Sequence, residues 1–227
     1  MPSKTKNIKI TDKYKPYNRR KQMSKIPMNM RLNNRKFLIV CEGETEKWYF
    51  QKFPLLTATV VSIAAGRSHY SLIEYARKLM KEDSYDEVWC VFDLDYNPET
   101  VGQIEDFNKA VYADNGKNFR CAYSNDAFEL WFYLHYAHIE HQPLREFYFD
   151  KLGDFWQLAS YRQEGKGQAF SQNIYDKLIE DERASQDQAI IKARNLYEKQ
   201  KDLTPFEQNP VTKVFELVEI LNQHLKK

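Results

Sequence analysis

Four short apolar runs set the fold of this chain, because each is rich in β-formers and each ends abruptly at a turn or an acidic cluster. They are Phe37-Leu38-Ile39-Val40-Cys41, Thr57 to Ile63, Val88-Trp89-Cys90-Val91-Phe92 and Phe119 to Tyr123. Runs this short, apolar on both alternating faces, suit strands of a parallel sheet buried on both sides. Helical stretches separate them. Thr45 to Phe53 is stopped by Pro54, and Ser68 to Met80 carries Leu72, Ile73, Ala76, Leu79 and Met80 on one side. A more polar stretch spans Glu99 to Asn115. Strands alternating with helices of this length predict βαβ units, hence an α/β fold with a parallel sheet of about four strands flanked by helices.

Beyond Asp126 the pattern is helical to the end, with no further strand expected. Asp126-x-x-Glu129 has the spacing of a capping box for an aromatic helix over Phe128–Tyr136. Gly165-Lys166-Gly167 reads as a flexible loop, and Ser171 to Lys199 as one or two helices. Pro210 is expected to open a last amphipathic helix bearing Val214, Leu217, Val218 and Leu221, as either a partner-docking surface or core packing. The expected organisation is a basic arm over 1–34, an α/β domain over 35–140 and a helical extension over 141–227.

Composition narrows the class. With 227 residues, 42% hydrophobic, the chain can bury a sizeable core, so wholesale disorder is excluded. No run approaches the ~18 apolar residues of a membrane span, and the N-terminus has no apolar segment of signal-peptide type, so a cytoplasmic protein without membrane contact is expected. Cys41, Cys90 and Cys121 are odd in number and set in apolar runs, which predicts reduced core residues. The formal net charge of +2 conceals an asymmetry: residues 1–36 hold twelve of the 34 Lys and Arg but one of the 32 acids, Asp12. That segment is +11 and the remainder −9. A basic arm on an acidic body is a footprint of phosphate contact, and equally of a solvated tail.

The chemistry-bearing residues are acids at strand ends. Glu42, Glu44 and Glu46 follow the first run, and Asp93 and Asp95 follow the third. In open α/β sheets ligands bind at the carboxyl ends of strands, so the two clusters are expected to meet there. Asp93 and Asp95, two apart at the end of a strand, can point to one side. Glu42 and Glu46 straddle a strand-to-helix turn at Gly43. Acids crowded without nearby Lys or Arg call for a hard divalent cation, Mg²⁺ or Mn²⁺. The bland alternative is a set of solvated loop acids complementing helix N-termini.

At these residues the chain resembles a known family. Leu38-Ile39-Val40-Cys41-Glu42-Gly43-Glu44-Thr45-Glu46, followed by Val91-Phe92-Asp93-Leu94-Asp95, is similar to the Toprim fold of topoisomerases, primases and OLD-family nucleases. In that fold the first glutamate and the Asp-x-Asp pair bind metal, and in OLD nucleases the Thr-Glu glutamate does too. The resemblance therefore implies metal ligands at Glu42, Glu46, Asp93 and Asp95, and a Toprim/Rossmann-like sheet. Ser124 to Tyr136, with Phe128-Glu129-Leu130-Trp131 and His135, resembles the Phe-Glu-Leu-Trp…His signature of the RloB family, as does Asn209-Pro210-Val211-Thr212. RloB proteins are Toprim-like and often encoded beside an AAA-type ATPase in restriction or phage-defence loci. Asp126 departs from the pattern, which usually has Pro there, so the start of that helix is expected to differ.

The resulting expectation is a Mg²⁺- or Mn²⁺-dependent nuclease acting in antiviral defence by abortive infection, on RNA, tRNA included, ahead of DNA, and controlled by an ATPase partner. Catalytic candidates are Glu42, Glu46, Asp93, Asp95, His135 and Lys166. His135 titrates in the right range to move a proton, but equally suits a buried helix. Lys166 could reach a phosphate or be a surface lysine, and Glu129 could cap its helix or join the site. Trp131-Phe132-Tyr133 could stack bases or pack the core. Two other readings remain: a HAD-type phosphatase with Asp93 as nucleophile, and a non-catalytic adaptor subunit of an ATPase complex.

Overall fold

The computed structural model describes residues 34–225, so the basic stretch over 1–33 lies outside the described residues. Strands β1 (Arg35–Cys41), β2 (Ala58–Ala64), β3 (Glu87–Asp93) and β4 (Phe119–Asn125) form the expected parallel sheet. A fifth strand, β5 (Val211–Thr212), adds antiparallel to β4. This corrects the expectation of a purely helical C-terminal region; two residues after a proline are too few to show a period of two.

The spatial order is β2-β1-β3-β4-β5. The chain leaves β1 through helix α1 (Glu44–Gln51) to β2 on one side, then returns through α2 (His69–Glu82) to β3 on the other. The direction of winding reverses between β1 and β3, and a crevice opens at the carboxyl ends of such a pair. Glu42 follows β1 and Asp93 ends β3, so both acids belong to that crevice.

Both faces of the sheet are covered, which is why the strands lack polar alternation. Phe37, Ile39, Trp89, Val91 and Ala122 face one apolar cluster; Leu38, Val40, Cys90, Phe92 and Tyr123 face the other. The second is closed by α2 and α3 (Gln103–Val111), through Leu72, Ile73, Ala76 and Phe107. The first is closed by α1 and by six helices after residue 128: α4 (Glu129–Leu134), α5 (Arg145–Trp156), α6 (Gln168–Ser171), α7 (Ile174–Glu180), α8 (Gln186–Gln200) and α9 (Val214–Asn222). The helices after residue 141 thus share one core with the sheet. At about 1.5–3 kcal/mol per fully buried Leu, Val or Phe side chain, that shared cluster holds the C-terminal helices in place.

One local expectation changes and two open readings resolve. Helix α9 begins after β5, and its Leu217, Val218 and Leu221 are fully buried, so of its two readings core packing holds. No capping box forms at Asp126; α4 has no side-chain cap, and Glu129 is buried. Trp131, Phe132 and Tyr133 are buried in the core rather than exposed for stacking. The three cysteines are buried and free, and among the described residues no helix is long and apolar enough to cross a membrane.

Candidate metal centre

The site starts from the end of β1. The Glu42 N–H donates to Val91 O at 2.9 Å, which locks the turn onto β3 two residues before Asp93. The chain then passes Gly43 into α1. A Cβ at residue 43 would stand 2.8 Å from Glu46 Oε2, so glycine there lets the Glu46 carboxylate fold back over the turn. Glu46 is 9% exposed. Glu44, by contrast, points to solvent and pairs with Lys47 at 2.7 Å.

Asp93 and Asp95 are held by backbone. Asp93 Oδ2 accepts the Phe128 N–H at 3.1 Å, and His69 Nε2 lies 3.3 Å from the Asp93 carbonyl oxygen. Asp95 sits in the left-handed region (φ 45°), which Asp tolerates better than most residues. Its N–H donates to Asp126 O at 3.0 Å, and Gln103 Nε2 donates to its carbonyl at 3.0 Å. Asp126 Oδ1 accepts the Tyr96 N–H at 2.8 Å, so Asp126 anchors the Asp95–Tyr96 turn instead of capping α4.

The helical region brings in four further side chains. Glu129, 2% exposed, lies 3.1 Å from Lys166 Nζ and accepts from Tyr161 Oη at 3.3 Å. The Tyr161 ring packs where a Cβ on Gly165 would stand, 2.1 Å from its Cδ2, so that glycine is a steric requirement. Arg145, at the start of α5, reaches both aspartates: Nη2 lies 3.3 Å from Asp93 Oδ2 and Nη1 2.5 Å from Asp95 Oδ1.

Five carboxylates, Glu42, Glu46, Asp93, Asp95 and Glu129, thus gather around two cationic side chains. Burial, then the neighbouring Glu46 charge, pushes the Glu42 carboxyl up to about 7. Burial, with Glu129 nearby, does the same to Glu46, also to about 7. Burial and the Glu42 and Glu46 charges hold Asp93 well above the usual carboxylate range. Burial works against the Lys166 ammonium, but Glu129 outweighs it and the group is raised. The crevice is short of positive charge.

The donors fit a hard divalent cation in kind. All are carboxylate oxygens, and Glu42 Oε2, Glu46 Oε2 and Glu129 Oε2 are buried without a hydrogen-bond partner. As the side chains stand, however, no three His, Cys, Asp or Glu among the described residues are grouped to hold a metal ion. The Asp93 and Asp95 oxygens are turned to Arg145 instead. Glu42 and Asp95 also line an open cleft of about 610 Å³, with Ser68, His69, Asn97 and Gln103 on its walls. A hollow of about 740 Å³ beside Phe170 and Lys177 includes none of the five acids.

The expected site residues therefore divide. Glu42, Glu46, Asp93 and Asp95 come together, and Lys166 joins them through Glu129. His135 does not. It is buried, its Nδ1 lies 2.9 Å from Trp131 O, its ring packs edge-on to Trp131, and burial pulls its pKa down to about 4. Arg145, His69 and Asp126 were not among the candidates. Arg145 is 52 residues from Asp93 with no local motif around it, and His69 looks like an ordinary first residue of a helix.

The family model described as RloB-like protein matches residues 37–221. No curated protein and no solved structure matches the chain significantly. The matched span runs from β1 through α9 and includes all five clustered carboxylates together with Arg145 and Lys166. The chain belongs to the RloB-like protein family.

Proposed function

We propose that this chain is a nuclease that cleaves phosphodiester bonds with Mg²⁺ or Mn²⁺ held by Glu42, Glu46, Asp93 and Asp95. The observation that carries this reading is the set of buried, unpartnered carboxylate oxygens at the topological switch between β1 and β3. Bound divalent cations stabilise the attacking and leaving oxygens of an in-line phosphoryl displacement. The chain's own residues supply the rest. The Phe128 N–H fixes the orientation of Asp93, Gly43 lets Glu46 close over the turn, and Lys166 keeps a positive charge beside Glu129. The cleft beside Glu42 and Asp95 leaves room for a phosphodiester backbone.

Supporting the nucleic-acid substrate is the basic N-terminal segment, whose Lys and Arg suit phosphate contact. Family membership, with the Toprim-like motifs, favours a cytoplasmic defence effector acting on RNA, tRNA included, under the control of an ATPase partner. A HAD-type phosphatase has less support, because Asp93 ends the third strand in sequence and already accepts from Phe128 and Arg145.

The test is cleavage of mixed tRNA, single-stranded RNA and plasmid DNA with Mg²⁺ or Mn²⁺, for wild type beside Asp93→Ala, with EDTA as control. Cation-dependent cleavage by wild type and none by the variant is expected. Equal cleavage by both would place the chemistry elsewhere, and a covalent phosphoryl-aspartate at Asp93 would favour the phosphatase.

A further inference from the structure

The guanidinium of Arg145 spans two carboxylates that a divalent cation would claim, Asp93 and Asp95. Its Nε is buried and has no hydrogen-bond partner. It shares the ring of Phe149 with two other cations: Arg145 Cζ lies 5.9 Å, Arg162 Cζ 5.0 Å and Lys166 Nζ 5.0 Å from the ring centroid. One aromatic face thus carries three cationic heads beside the crevice of acids, each of them paired with a carboxylate.

We propose that Arg145 is a phosphate-binding residue of the substrate site, held by Asp93 and Asp95 until a divalent cation takes those carboxylates. This rests on the nuclease reading above.

A dication prefers carboxylate oxygens and competes directly with a single positive charge for them. A guanidinium freed in a half-buried crevice is costly to leave unpaired. On that reading Glu42 and Glu46 go to the cation, and the other neighbouring acids are engaged, although Glu129 Oε2 stays unpartnered. Glu129 pairs with Lys166, Glu146 with Arg162, and Asp126 accepts the backbone N–H of Tyr96. An anion that arrives with the substrate gives Arg145 a full partner in place of the two carboxylates. A phosphate suits it, because the planar fork donates two parallel hydrogen bonds to two phosphate oxygens. The backbone of Arg145 need not move, because its position at the start of α5 beside Phe149 leaves the side chain to swing.

Two measurements on Arg145→Gln test the proposal, with near-ultraviolet circular dichroism reporting the fold. The first is calorimetric titration with Mn²⁺ alone. Removing the competing charge is expected to tighten Mn²⁺ binding about tenfold, which corresponds to about 1.4 kcal/mol. The second is the salt dependence of binding to a labelled single-stranded oligonucleotide, with Ca²⁺ replacing Mg²⁺ to suppress turnover. The slope of log K against log[salt] is expected to fall by about 0.7, the loss of one phosphate contact. Arg145→Lys keeps the charge but cannot span two carboxylates, so it should bind Mn²⁺ more tightly than wild type while keeping the salt slope. Arg145→Met, which keeps much of the apolar stem and removes the charge, carries both arms if Arg145→Gln does not fold. Unchanged or weaker Mn²⁺ binding, or an unchanged salt slope in Arg145→Gln, overturns the proposal. If Asp93→Asn binds Mn²⁺ as wild type does, the metal reading itself has failed, and the proposal falls with it.

Discussion

Gly43 leaves the space that the Glu46 carboxylate fills: a Cβ on residue 43 would lie 2.8 Å from Glu46 Oε2. The clash would fall on the end of a flexible side chain and not on backbone. Gly43→Ala should therefore change stability by less than about 1 kcal/mol, since only the carboxylate must give way. It should lower cleavage by about tenfold or more, because a displaced ligand costs transition-state geometry. Thermal melting and single-turnover cleavage on the same preparation check both halves. A large loss of stability with normal specific activity would show that the glycine serves the fold.

The raised Glu46 carboxyl has a defined pH signature in metal-free protein. Its folded pKa of about 7 lies above the ordinary 4.5, so between those values the folded chain holds a proton that the unfolded chain has lost. Its contribution to stability is present below 4.5 and is lost as pH rises through 7. In EDTA, Glu46→Gln should melt progressively higher than wild type as pH increases from 5 to 8, by several degrees at about 2–4 °C per kcal/mol. His135, with its pKa pulled down to about 4, works in the opposite direction, but it is present in both proteins and drops out of the difference. A constant difference across that range would contradict the assigned burial of this carboxylate.

His135 separates core from chemistry. With Nδ1 bonded to Trp131 O and the ring buried, His135→Ala should cost about 2–4 kcal/mol through a cavity and a lost hydrogen bond. Cleavage per folded molecule should stay within about twofold. Loss of turnover in a protein that remains folded, especially with the acid limb of the pH profile removed, would restore the proton-transfer role.

Leu217 and Leu221 are fully buried against the sheet. Leu217→Asp or Leu221→Asp should abolish soluble folded protein, because a carboxylate would be buried without a partner. Circular dichroism and gel filtration report the result. A folded, monodisperse variant would return α9 to the surface as a docking candidate.

How much of this was legible in the sequence follows from the range of each signal. The four parallel strands and the acids at their ends are local: apolar runs of five to seven residues stop at a turn, and strand order then brings Glu42 and Asp93 to one crevice. The two-residue β5 is too short to show a period, and it depends on pairing Val211 and Thr212 with Asn125 and Ser124. Asp126 matched the spacing of a capping box, yet the Tyr96 N–H competes for its carboxylate and wins. Arg145 was invisible because its partners are 50 or more residues away, and a lone arginine at a helix start carries no pattern of its own. Lys166 was visible only through its flanking glycines, one of which makes room for Tyr161.

The most direct test of the central claim is calorimetric titration of Mn²⁺ into wild type, Glu42→Gln and Asp93→Asn at pH 8, where the Glu42 and Glu46 carboxyls are ionised. The account predicts saturable binding by wild type with one or two ions per chain, and a loss of at least about tenfold in affinity in each folded variant. Indistinguishable isotherms for the three proteins would contradict it.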